Sequence, residues 1–311
     1  MSGLYDGMMA VYFTGTNVEP APEPVTTDTY FYVQDITGST NTLYIVKENS
    51  SAPSLAIEYS MDEETWSSLG TTSTSSLTVQ IPANGKVYLR CNCTAWATLD
   101  YNNKIYAANA FNVGGNILSL IYGSSFIGQT TMKNTYTYYV FKGIFTSSGV
   151  VDASNLLLPA ERIAGYAYAF MFQYCQSLTK APNLPATTIQ GNCYNSMFKN
   201  CTSLTSVPSI LPATTLQINC YQNMFSSCTS LTTAPELPAA TLKNYSYANM
   251  FTGCSSLNYI KCLATNISAT SCTTDWVSGV PLTGTFVKDS TMTSWITGTG
   301  GIPTGWTVQD A

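Results

Sequence analysis

The residues equipped for chemistry in this 311-residue chain are ten cysteines and seventeen carboxylates; there is no histidine. Without histidine, Ser-His-Asp and Cys-His catalysis, His-containing zinc sites and the usual general base are excluded. Six cysteines recur in two registers, Cys175, Cys201, Cys228 and Cys254 in one and Cys193 and Cys220 in the other. Disulfide frameworks belong to small secreted chains that lack a core, so these six are expected to be reduced, buried and stacked in ladders. Cys91-Asn-Cys93 has no second pair beside it, which speaks against zinc. Asp62, Glu63 and Glu64 sit at the tip of a hairpin-like stretch. Three adjacent carboxylates rarely converge on one cation without other ligands, so a solvated turn is expected there. Glycoside hydrolysis needs a facing carboxylate pair. The repeat region offers only Glu161 and Glu236, in different units, so an enzyme is the least supported class. No phosphate loop or dinucleotide fingerprint occurs, and no cofactor is expected.

Composition narrows the class further. The chain is 45% hydrophobic but only 9% charged, with a net charge of −5 and 21 tyrosines. So much apolar and aromatic content argues against disorder. Residues 161–262 hold five basic and two acidic side chains, too few for a phosphate-backbone footprint, so nucleic acid is not an expected partner. No run of 18 or more apolar residues exists to span a membrane. The stretch Met1–Gly7 has no positive flank and no apolar core, so it does not have the form of a secretory signal.

The elements that would position these groups fall into five stretches. Residues 1–24 form an expected arm, with two short Tyr/Gly strands around Tyr5, Gly7, Tyr12 and Gly15, then an extended Pro-rich linker. This arm resembles the short strand repeats at the start of some phage tail and fibre proteins, which implies docking to another virion protein by strand addition. Residues 25–113 are expected to be an all-β sandwich of immunoglobulin-like type. Strands are expected at Thr29–Val33, Asn41–Val46, Leu55–Tyr59, Leu77–Ile81 and Lys86–Arg90. Residues 114–160 join this to a degenerate first repeat starting near Phe145. Residues 161–262 are full repeats, and 263–311 a cap closed by Trp276, Trp295 and Trp306.

The repeats centre on Met171-Phe172, Met197-Phe198, Met224-Phe225 and Met250-Phe251, spaced 26, 27 and 26 residues apart. A fixed period of this size marks a solenoid. Ile189, Cys193, Tyr194, Met197, Phe198 and Cys201 fall on one face of a helix, with Thr187 or Thr188 as its N-cap. Leu204–Val207 then reads as a short strand. Tyr168, Tyr194, Tyr221 and Tyr247 share a register and are expected to stack as a structural ladder.

The unit Met-Phe-x-x-Cys-x-Ser-Leu-Thr-x-Ala-Pro-x-Leu-Pro-Ala, with Asn116–Gly123 ahead of it and Trp276–Trp306 behind, resembles the BspA-type leucine-rich repeats of gut Bacteroides surface proteins and of phages infecting those bacteria. The resemblance covers about 115–311. It implies an α/β leucine-rich-repeat solenoid with terminal caps, on a virion or cell surface, binding protein or glycan without catalytic residues.

The expected function is therefore a phage virion fibre or decoration protein for host attachment, with a bacterial surface adhesin as the alternative; a homo-oligomer stays open. The expected binding surface is the row Lys180, Ser206, Thr233 and Tyr259. Each precedes an inward-facing residue of the short strand and so should point out. The flanking positions repeat while these four differ. That suits a recognition surface, and an unconstrained solvent face would look the same. With one cation and no anion, the row suits a neutral, hydroxyl-rich partner such as a host polysaccharide, on which Tyr259 could stack.

Overall fold

A computed structural model describes residues 28–73, 76–98, 102–132 and 138–311. The expected arm, with Tyr5, Gly7, Tyr12 and Gly15, lies outside the described residues. The first eight strands are β1 Tyr32–Asp35, β2 Asn41–Lys47, β3 Ala56–Ser60, β4 Ser67–Thr71, β5 Leu77–Ile81, β6 Lys86–Cys91, β7 Asn103–Ala107 and β8 Phe111–Asn116. Along β2 the pleat sends Leu43 and Ile45 inward and leaves Thr42 and Tyr44 partly exposed. On the outer face Tyr44 stacks against Tyr106 of β7, with ring centroids 5.0 Å apart. Three strands pair in the order β5-β2-β7. The other sheet runs β4-β3-β6-β1-β8 and takes in β9, Asn155–Leu157, from the repeat region. This β-rich part fits an immunoglobulin-like fold loosely. Sequence reasoning missed β4, β7 and β8. β4 (Ser67–Thr71) is Ser/Thr-rich and mostly exposed, and β8 (Phe111–Asn116) contains Gly114-Gly115, so neither shows a strong strand pattern.

The α/β leucine-rich-repeat solenoid is not what the chain forms. Among the described residues the only α-helix is α1, Ser119–Tyr122, and the protein is mostly β. Its strands gather in separate small sheets that do not close into a solenoid. No helix covers 189–201, and Thr188 caps nothing. Thr188 instead bridges Arg162 and Thr215 in neighbouring repeats. Leu204–Val207 is no strand either; it contributes one isolated bridge, at Ser206.

In place of a helix, each repeat makes a coil of successive turns in which backbone hydrogen bonds alternate between two destinations. The N–H groups of Asn192, Tyr194, Ser196, Phe198 and Asn200 donate to carbonyls of the following repeat, at 2.8–3.0 Å for the outermost pairs (Asn200 to Ser226 and Asn192 to Ile218). The N–H groups of Asn195, Met197, Lys199 and Cys201 donate three residues back within the coil. Closing the turns in this way requires left-handed backbone at every fourth residue: Asn192 (φ 59°), Ser196 (φ 55°) and Asn200 (φ 62°). The same positions recur as Asn219, Asn223 and Ser227. Asn tolerates this region at low cost, whereas most side chains meet a clash of roughly 1–2 kcal/mol there.

The core runs unbroken from the sandwich through the coils. Phe31 of the sandwich stacks on Phe145, Phe145 on Phe172 at 5.2 Å, and the pile continues through Phe198, Phe225 and Phe251. Tyr168, Tyr194, Tyr221 and Tyr247 form a second pile, with centroids 5.6–6.1 Å apart at its closest and widest steps. Both piles end on Trp276, which stacks on Trp295. The two regions join where β8 pairs in parallel with β9. On the other side of β8, Gly115 (φ 74°) lets the backbone leading into β1 come close, because a Cβ there would lie 1.9 Å from the Tyr30 carbonyl oxygen. A parallel sheet of β10 Tyr259–Cys262, β11 Thr285–Lys288 and β12 Thr307–Asp310 finishes the chain.

Candidate functional site

The predicted row is held by the coil-to-coil ladder. Lys180 bridges Asp152 on one side and Ser206 on the other, and Thr233 bridges Tyr259. The residues after Lys180 and Thr233 turn inward and donate to the next repeat: Ala181 N–H to the Ser206 carbonyl at 2.9 Å, and Ala234 N–H to the Tyr259 carbonyl at 3.0 Å. Lys180, Ser206 and Thr233 are exposed and Tyr259 is half-buried.

The four do not act alike. Lys180 Nζ is 2.9 Å from Asp152 Oδ2, an ion pair within the row. Burial opposes ionisation of Asp152. The hydroxyl and N–H of Ser154, with the Lys180 ammonium, nevertheless hold its carboxyl below the usual range. Lys180 therefore brings no free cation to a ligand. Ser206, Thr233 and Tyr259 instead line an open groove of about 470 Å³ with Pro208, Glu236 and Lys261. Glu236 and Lys261 form a second ion pair, 3.1 Å apart and partly exposed. The groove thus presents four aliphatic hydroxyls, those of Thr205, Ser206, Ser209 and Thr233, with a phenol, a proline face and a neutralised charge pair. Such a surface can exchange hydrogen bonds with a polyhydroxyl ligand and cover one ring face. It holds no arrangement that activates a nucleophile.

Sequence reasoning missed Asp152 and Lys261 and weighed Glu236 only as half of a catalytic carboxylate pair. The signal was available: Glu236 and Lys261 lie 25 residues apart, close to the repeat period, so opposite charges had to meet across neighbouring coils.

The other chemistry-bearing residues are committed to structure. Asp62 accepts the Glu64 and Thr65 N–H groups and the Ser60 hydroxyl, which holds its carboxyl down to about 2. All ten cysteines are free thiols, and all but Cys93 are buried. Among the described residues no three His, Cys, Asp or Glu side chains converge to hold a metal ion, and no helix is long and apolar enough to cross a membrane. No protein-family description, curated protein or solved structure matches this chain.

Proposed function

We propose that this is a non-enzymatic attachment protein that presents the Ser206–Thr233–Tyr259 groove to a neutral polysaccharide on a host cell surface. The observation that carries the reading is the groove itself, hydroxyl-lined and apolar-floored, with its one charge pair internally neutralised. A polyanion would need a basic stripe, which this surface lacks. A neutral glycan offers hydroxyls and C–H faces, which match a rim of Ser, Thr and Tyr. The virion placement, as a fibre or decoration protein, rests on the likeness of the Tyr/Gly arm to phage tail strands.

The test is a Thr233→Ala/Tyr259→Ala variant, shown by its melting curve to be folded, in a binding assay on isolated host capsular polysaccharide. Thr233 is exposed and Tyr259 half-buried at the start of β10, so the variant should lose about 1–2 kcal/mol and stay folded. Binding should fall by about tenfold or more, the loss of roughly one ring contact and one hydrogen bond. Undiminished binding would remove the groove from consideration.

A further inference from the structure

Each coil from 139–147 to 245–253 places three residues in left-handed backbone, and their N–H groups donate to the next coil. In three of the six coils, the one at 271–279 included, these positions hold only Asn, Ser, Gly or Asp, which suit that backbone, and two others carry a single ring there, Tyr139 and Tyr245 (φ 57°). The coil at 166–174 departs at all three, with Tyr166 (φ 56°), Phe170 (φ 60°) and Tyr174 (φ 62°), beside Tyr139 (φ 65°) of the preceding coil. These rings are not core. Tyr168 and Phe172 fill the interior of the same coil, while Tyr174 is 47% exposed and Tyr166 and Phe170 are half-buried.

Two of the three rings are tied to the preceding coil. Tyr166 lies 5.0 Å from Tyr139. The largely buried Lys142 ammonium sits 5.8 Å from the Phe170 centroid and 5.9 Å from that of Tyr139, and so links these two rings. Bulky aromatics on backbone they disfavour, and exposed besides, mark a position kept for something other than stability. The following coil continues the same registers with the half-buried amides Asn192 and Asn200 and with Ser196, which is buried.

We infer that Tyr166, Phe170 and Tyr174 form a ring-stacking platform for a neutral polysaccharide, separate from the groove, none of whose lining residues belongs to it. Sugar rings lie with their C–H faces on the aromatic faces, and their hydroxyls meet the neighbouring amides and hydroxyls. The inference rests on the reading that the protein binds glycan, but on different residues.

The experiment uses the full chain with Tyr166, Phe170 and Tyr174 all changed to Asn. Native electrophoresis is run through gels containing mannan, β-glucan or galactan. The parent should be retarded by at least one. The triple variant should need about tenfold or more polysaccharide for equal retardation, while its melting temperature stays level or rises because Asn suits the backbone. Equal retardation of parent and variant, a parent retarded by none of the three, or a clearly lowered melting temperature would each overturn the inference. Thr233→Ala/Tyr259→Ala runs alongside. Loss in the triple variant with no loss in this one retains the platform and removes the groove; the reverse removes the platform and retains the groove.

Discussion

The thiol of Cys201 donates to the Phe172 carbonyl, that of Cys228 to the Phe198 carbonyl and that of Cys254 to the Phe225 carbonyl, each at 3.0–3.1 Å. Cysteine suits this register because it is small enough to sit between two coils and still offers a donor to the carbonyl beside it. Burial pushes these thiols up, Cys220, Cys254 and Cys262 to about 12 and Cys201 and Cys228 well above their usual value; burial likewise raises Tyr194, Tyr221 and Tyr247. The sign of the pH effect follows. Folded values above unfolded ones mean that the unfolded chain loses protons first as pH rises. Stability is therefore full below about pH 9 and falls above it. Each buried thiol removes about 1.4 kcal/mol per pH unit until its own folded value is reached. The melting temperature should be flat from pH 7 to 8.5 and drop steeply between 9 and 11, as a pH series in differential scanning calorimetry would record. A flat profile to pH 11 would mean that the thiols and phenols are not buried.

At the scale of the element, the left-handed residues decide whether a coil forms. Asn223 (φ 55°) donates its N–H to the Ala248 carbonyl at 2.9 Å and is half-buried. Asn223→Ala should cost about 1–2 kcal/mol from backbone conformation, whereas Asn223→Gly should cost well under that. Chemical denaturation of the two variants checks this, and an alanine variant as stable as the glycine one would contradict the turn geometry. The same residues show what could be read from sequence. The period and the tyrosine pile were legible, because stacking repeats the environment of each side chain. The helix was an error with a physical source. Buried residues at i, i+4, i+5, i+8 and i+9 satisfy a turn of four residues as well as one of 3.6. The discriminating signal was between the buried pairs, where Asn or Ser recurs every fourth residue at 192, 196 and 200 and at 219, 223 and 227. Asn is a poor helix-interior residue and a good left-handed one. The groove's ion pair was missed because it joins two coils, and the aromatic platform because only the backbone shows those rings to be out of place.

In the whole molecule, the sandwich is the base on which the coils are piled. Phe31 opens the phenylalanine pile, β8 accepts β9, and the Leu120 carbonyl after β8 accepts the buried Trp96 indole N–H at 2.8 Å. A surface laid on such a pile is stiff, since each coil is fixed by backbone bonds to both neighbours, and a rigid surface binds an extended ligand with little ordering cost. The groove spans the coils from Ser206 to Lys261, and the aromatic stripe lies on an earlier one. The central claim is that the coil surface, rather than the sandwich, meets the glycan. Carbene footprinting of the intact protein, with and without a polysaccharide that retards it, tests this most directly. The account predicts reduced labelling at Thr233 and Tyr259 in the groove and at Tyr166 and Tyr174 on the stripe, with Ile36 and Tyr106 of the sandwich unchanged. Protection confined to residues 28–113, with the coil residues labelled as before, would contradict it.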